Sequence, residues 1–483
     1  MKQGNKFFFL LAVFLSFAEF CHSQQDMAGK IREIVEAEAR HAYFSGTVLV
    51  AQDDRILYAG AFGQANRDFQ VPNTLQTKFN IGSITKTFTA LAIVQLMEQG
   101  KIKTEDALAR YLPDCPVAEK NEITIHQLLT HTSGLYDFGN DDVIFETLFK
   151  RGTDDLIPYA YGKGLVFRPG TDVGYSSGGY VLLGAVIEKV SGMPFSRYVS
   201  EYILKPARMN DSGLLQAEDV SPNKATGYKQ LDRGKYGDRT LWHFPGSSCG
   251  GLYVTAEDLF RYVRALLDKK LLSAESLSLL MSPKTKEADQ GRAAYAWWVN
   301  TIGGQEAVGH TGGTPGFSSS LYIFPGLGYT AIVLSNSWRG TTGITDLINS
   351  ALTGGVYEIA DPNTFNLRKG IDLYYGGDSE AAIRLLDEIM QGDRASRRAY
   401  YYSALARIAA GRDLPKAVAY LDRVMQMIAP GSSSTRAAAW YWEGQAYEKM
   451  HDAKKAARCY KKCLCFDPEE GRAKEALARM RVK

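Results

Sequence analysis

Ser83-Ile84-Thr85-Lys86 places a hydroxyl and an amine three residues apart at the head of an almost wholly apolar stretch. Side chains three apart share one face of a helix, so the Lys86 amine belongs beside the Ser83 hydroxyl. A serine becomes a useful nucleophile once a neighbouring base takes its proton. The positive end of the helix dipole favours charge building on that oxygen. Ile84, Phe88, Ala90 and Leu91 surround the lysine in sequence. Such burial is expected to lower its proton affinity and fit it to act as a base near neutrality.

The pattern alone decides little, because Ser221-Pro222-Asn223-Lys224 repeats it. Pro222 and Asn223 make that copy a loop with no apolar helix behind it. An acyl-transfer site also needs a proton shuttle and donors for an oxyanion. Two later segments offer them. Tyr175 lies in the glycine- and serine-rich run Arg168 to Tyr180, where no core needs an aromatic ring. Gly309-His310-Thr311-Gly312-Gly313 leads into a β-rich run, and its glycines let a backbone N–H approach a ligand closely.

Taken in order, S-x-x-K, Y-x-S and H-T-G resemble the motifs of the serine β-lactamase and penicillin-binding superfamily. The match is closest to the class C β-lactamase-like group, which includes esterases, D-alanyl-D-alanine carboxypeptidases and D-aminopeptidases. The flanking runs Phe79 to Phe88, Leu128 to Leu135 and Gly250 to Leu259 share in the resemblance, which covers about residues 40 to 350. It implies Ser83 as the acylated nucleophile, Lys86 as its proton acceptor or orienter, and Tyr175 as base or shuttle. It further implies backbone N–H groups of Ser83 and Gly313 as the oxyanion hole. Ser177, His310, Thr311 and Gly312 would line the substrate cleft. Neither a cofactor nor a metal is implied. Dedicated β-lactamases of this group carry asparagine where Ser177 stands and lysine where His310 stands. Both departures favour an ester, a small peptide or a D-amino-acid derivative over a β-lactam. A penicillin-recognising sensor or adaptor that is acylated without turnover is the competing reading. His131-Thr132-Ser133-Gly134 is read as a helix end capped by Gly134, without chemistry.

The elements that must position these residues follow from the patterning. Residues 28 to 42 read as an amphipathic helix, and Gly46 to Ala51 with Arg55 to Ala59 as a hairpin. Residues 105 to 270 are helix-rich, and strand patterns return at 295–301, 319–324 and 329–335. Strands, then helices, then strands predict an α+β fold: one antiparallel sheet closed by both ends of the domain, flanked by helices, with an all-helical insert.

Before this domain, Lys2 and Lys6 precede the apolar run Phe7 to Phe17, and Ser23 offers a cleavage point. Residues 1–23 read as a secretory signal peptide, so a periplasmic or secreted protein is expected. Cys21 would leave with it, and a lipoprotein reading through Cys21 is disfavoured by Glu19 and Phe20. No other apolar run is long enough to span a bilayer. The hydrolase domain is expected over 24–358 and a linker over 359–369. From 370 to 483, Gly377-Asp378, Arg412-Asp413 and His451-Asp452 recur at a spacing near that of tetratricopeptide repeats, which predicts an all-α repeat domain. Its 20 basic and 15 acidic side chains give a formal charge of +5, suited to a protein partner of acidic character. The whole chain of 483 residues carries only +3, which argues against a nucleic-acid partner. Cys459 and Cys463, four apart, read as small buried helix residues rather than a metal or redox pair.

Overall fold

The computed structural model describes residues 26–40, 44–137, 158, 160, 164–214, 220–232, 235–238, 246–288, 290–338, 340–355, 362–390, 397–427, 433–467 and 470–481. The expected signal peptide lies outside them. Two compact units emerge: residues 1–230 with 234–359, and residues 231–233 with 360–483.

The first unit is built on an eight-stranded sheet. Its strands are β1 (Gly46–Gln52), β2 (Arg55–Phe62), β3 (Glu287–Ala288), β4 (Gly291–Ala293), β5 (Trp298–Ile302), β6 (Gln305–Thr314), β7 (Phe317–Phe324) and β8 (Tyr329–Ser335). They lie in the order β3-β4-β5-β6-β7-β8-β1-β2, every neighbour antiparallel. As expected from the patterning, the early hairpin joins the late strands. Gly46 pairs with Ser335 and Gln52 with Tyr329 across the β1–β8 seam.

Alternation along β1 sends its side chains to two different cores. Val48 and Val50 meet Ile31, Ile34 and Val35 of helix α1 (residues 26–40), together with Ile344 and Ile348 of helix α5 (Ile344–Leu352). Leu49 and Ala51 face the larger core, which contains helices α2 (Thr85–Glu98), α3 (Ser177–Ser191) and α4 (Ala256–Leu267). Helix α2 is buried on all sides, which is why its sequence shows no polar stripe. Gly100, at φ 70°, ends it: its N–H and that of Lys101 bond back to Met97 O and Leu96 O. Phe88 of α2 stacks on Tyr262 of α4 with ring centroids 4.0 Å apart.

From residue 362 onward the second unit is built of helices: α6 (Pro362–Tyr375), α7 (Ser379–Met390), α8 (Arg397–Ala410), α9 (Leu414–Gln426), α10 (Ser433–Lys449), α11 (Ala453–Phe466) and α12 (Gly471–Arg481). Helix α6 begins inside the segment 359–369 read as a linker. Pro362 is its first residue, where proline's missing N–H and fixed φ suit a helix start. The spaced positions pack alike. Ala382, Ala417 and Ala456 are fully buried, and so are Leu386, Leu421 and Tyr460. Each of the three turns holds a left-handed residue: Gly377, Gly411 with Asp413, and His451. Gly444 lies so close to Tyr460 that an added Cβ would stand 2.6 Å from its ring. Cys459 and Cys463 are buried and Cys465 is exposed, all as free thiols. No group of His, Cys, Asp and Glu suited to a metal occurs among the described residues, and none of their helices is long and apolar enough to cross a membrane.

Asn336, just past β8, ties the first unit together. Its amide donates to Gln64 O at 2.8 Å and Thr226 O at 2.9 Å, and its Oδ1 accepts from Ser45 Oγ at 2.8 Å. Replacing Asn336 with Leu strands these buried partners and is expected to cost about 3 kcal/mol, read as a lower urea midpoint.

Candidate functional site

Ser83 occupies a single helical turn, Gly82–Ile84, that runs directly into α2. Lys86, one turn on, is fully buried, and its Nζ donates to Ser83 Oγ at 3.0 Å and to Cys249 O at 2.7 Å. Threonines of the same helix hold the loop that supplies this carbonyl. Thr89 Oγ1 donates to Ser248 O at 2.6 Å, and Leu252 N donates to Thr85 Oγ1 at 3.1 Å. Gly184 of α3 admits the loop closely; an added Cβ there would lie 2.2 Å from Ser248 Oγ. The second S-x-x-K copy, at Ser221, lies in a loop with Asn223 at φ 60°.

Strand β6 reaches the nucleophile through glycines. A Cβ on Gly312 would sit 1.9 Å from Ile81 O, and one on Gly82 would sit 2.7 Å from Gly313 N. Ser319 Oγ, from β7, clamps the same turn by donating to Ile81 O at 2.8 Å. Gly313 is thereby set against the residue preceding Ser83. His310 is buried in β6, whereas Thr311 is exposed beside it, as strand alternation requires. A cavity of about 370 Å³ opens at Gly313 and is lined in part by Thr311, Ser318, Trp338 and Asp346.

Tyr175 is half-buried above the lysine, its ring centroid 5.0 Å from Lys86 Nζ and 6.2 Å from that of His310. Ser176 caps α3 by accepting from Gly179 N at 3.1 Å, and Ser177 is the first residue of that helix. The structure brings Ser83, Lys86, Tyr175 and His310 together and sets Gly312 and Gly313 against the turn before Ser83; Ser177 stands at the head of α3, and Thr311 is exposed on β6.

The charge on Lys86 differs from the sequence expectation. Burial does push its proton affinity down. Tyr175, first, together with Cys249 and Asp137, outweighs that, and the group titrates above its ordinary range. An apolar neighbourhood in sequence did not reveal these counterweights. His310 moves the other way: burial first, then the Lys86 charge, push it down to about 3. Its Nδ1–H donates to Thr311 O, so Nε2 is a bare acceptor, buried and without a protein partner among the described residues.

Three contributors were invisible to motif reading. Cys249 accepts from Lys86 through its carbonyl and acts on the same amine through its side chain. Asp137 accepts from Ser177 N at 3.0 Å while acting by charge on Lys86. His131 lies with its ring centroid 4.5 Å from that of Tyr175. The helix before it, Ile125–Leu129, ends at Thr130 rather than at Gly134, and the left-handed residue that follows is His131 at φ 59°. Gly134 answers a different demand: a Cβ there would meet Phe167 O at 2.0 Å.

Acid should weaken the fold through the buried imidazoles. An unfolded histidine titrates near 6.5, and folded His310 only at about 3. Between those values the unfolded chain binds the extra proton, so stability falls as pH drops through that window. Burial depresses His131 as well and adds in the same sense. Lys86 acts at the opposite end: its folded value is raised, so its contribution holds below about pH 10.5 and is lost as pH rises beyond it. His310→Gln is expected to flatten the pH dependence of the urea midpoint between pH 6.5 and 4. An unchanged slope would contradict this.

The chain is similar to known proteins. The family model described as Beta-lactamase matches residues 28–354. A putative penicillin-binding protein of Bacillus subtilis (strain 168), PbpX, is 34% identical over 247 residues, which is 50% of this chain and 59% of that protein. The chain thus spans less than two thirds of that relative. The crystal structure of a penicillin-binding protein from Bacillus halodurans superimposes with a TM-score of 0.60 at 30% identity, covering 66% of this chain and 97% of that one. The D-amino acid amidase of Ochrobactrum anthropi SV3 shares the fold at 22% identity, with a TM-score of 0.59 over 68% of this chain and 99% of that one. With about two thirds of its length matched by that family model, the chain belongs to the β-lactamase family.

Proposed function

We propose that this protein is an exported serine hydrolase that cleaves an ester or amide through an acyl-enzyme on Ser83. The observation that carries the reading is the 3.0 Å hydrogen bond from Lys86 Nζ to Ser83 Oγ, with Tyr175 against the same amine. Lys86 remains an ammonium: it orients Ser83 Oγ and holds negative charge beside it. As Ser83 Oγ attacks the carbonyl, its proton passes to the Tyr175 oxygen while the phenolic proton of Tyr175 passes to the departing alcohol or amine and the old bond breaks. The backbone N–H groups of Ser83 and Gly313 receive the oxyanion. Water attacks the acyl-enzyme by the same route in reverse and restores Ser83.

Neutral His310 offers no attraction to a substrate carboxylate, and Ser177 is a short partner for a substrate amide. Esters and D-amino-acid amides therefore fit the cleft better than substrates that need a cation at that position, in keeping with the D-amino acid amidase neighbour. The reading extends to residues 1–23 as a signal peptide and to residues 370–483 as tetratricopeptide-like repeats that bind a protein partner.

Ser83→Ala is expected to abolish hydrolysis of p-nitrophenyl butyrate and labelling by a fluorescent penicillin. Normal turnover by the folded variant would sink the proposal, and labelling of the wild type at Ser83 without any turnover would favour a sensor. Across a panel, D-amino-acid amides and simple esters should exceed D-Ala-D-Ala peptides and a chromogenic cephalosporin in kcat/KM by about tenfold or more, the equivalent of roughly 1.4 kcal/mol. Deleting 360–483 should remove co-purifying proteins while p-nitrophenyl butyrate hydrolysis persists. Identical co-purification with and without the segment would count against a partner.

A further inference from the structure

We propose that His131 is a positioning residue for Tyr175, and that the turn 131–134 is the template on which the tyrosine loop is laid. The inference rests on Tyr175 carrying the proton, as set out above. His131 grips the residues on both sides of it. Its main-chain O accepts from Gly174 N at 2.9 Å, and its ring Nδ1 accepts from Ser176 N at 3.1 Å. The same turn holds the loop further back, where Thr132 O accepts from Gly170 N at 2.7 Å and Gly134 O from Val166 N at 2.8 Å. Tyr175 is thus suspended between two hydrogen bonds to a single residue.

The ring of His131 is fixed in turn. It is 2% exposed and lies parallel to Trp298, with centroids 5.8 Å apart and planes 3° from each other. Tyr180 closes another side at 5.0 Å, anchored by its own bond to Leu129 O at 2.7 Å. A ring that accepts at Nδ1 carries its proton on Nε2 and is neutral, as suits a group buried near the Lys86 charge. Histidine thereby combines three requirements here. It supplies an acceptor at the δ position, a flat face for Tyr175 and tolerance of a left-handed backbone. Ser133, the other polar side chain of the turn, is buried and accepts from Leu135 N, so it has no part in the grip.

His131→Phe keeps a ring and removes the acceptor. His131→Asn removes the ring but places Oδ1 where Nδ1 stood and suits the left-handed backbone. With p-nitrophenyl butyrate, His131→Phe is expected to lose about 10²-fold in kcat, the scale of a catalytic group displaced by about 1 Å, with KM held within about threefold. His131→Asn should recover most of that loss. Acylation by a fluorescent penicillin should slow in the same order. Adding His131→Phe to Tyr175→Phe should cost nothing further, because the first acts through the second. Near wild-type kcat in folded His131→Phe, equal losses in the two variants, or losses that multiply in the double variant would each overturn the positioning role. Wild-type kcat in Tyr175→Phe would instead overturn the tyrosine's own role, and the positioning role with it.

Discussion

The first unit is arranged around the buried charge of Lys86. An ammonium taken out of water costs several kcal/mol unless partners replace its hydration. Lys86 finds them on three separate segments: the turn before its own helix, the loop at Cys249, and the tyrosine loop. Each of the two hydrogen bonds to the charged group returns about 1.5–3 kcal/mol, and the tyrosine ring adds a cation–π attraction. The constraint explains why threonines punctuate an otherwise apolar helix. Thr85 and Thr89 hold the 248–252 loop to the helix, and that loop presents Cys249 O to the lysine. Charge, helix and loop are one device.

The second constraint is proximity of backbone to backbone. Strand β6 must lie against the turn at 81–83 with no side chain between them, and glycines at 82 and 312 permit it. Side-chain alternation then decides what the strand offers each face: His310 inward, Thr311 outward. At the nucleophile the strand carries hydrogen-bonding groups and no charge, Glu306 lying at its opposite end. Among the groups that act by charge on Lys86 is the Asp137 carboxylate, opposite to it in sign.

Much of this was legible in the sequence. Three short motifs located Ser83, Lys86, Tyr175 and His310, and the strands-helices-strands pattern gave a sheet that both ends of the domain complete. What stayed hidden was what depends on distance in space. The proton affinity of Lys86 follows from Tyr175, Cys249 and Asp137, which lie 89, 163 and 51 positions away in sequence. His131 looked like part of a helix end because its role is to bond a loop more than forty residues downstream. The helix starting at Pro362 was hidden by a proline that reads equally as a break or as a first turn.

The seam between β1 and β8 joins residues nearly three hundred positions apart, and the site straddles the same span. Contacts so distant in sequence are slow to form, since chain entropy is lost before they stabilise anything. A nascent chain holds Ser83 and Lys86 long before it holds β6. Until the late strands arrive, the serine has neither the Gly313 backbone beside it nor the completed sheet beneath it. Reactivity is therefore timed by topology: the nucleophile is made early, and the strand that completes its surroundings is made more than two hundred residues later.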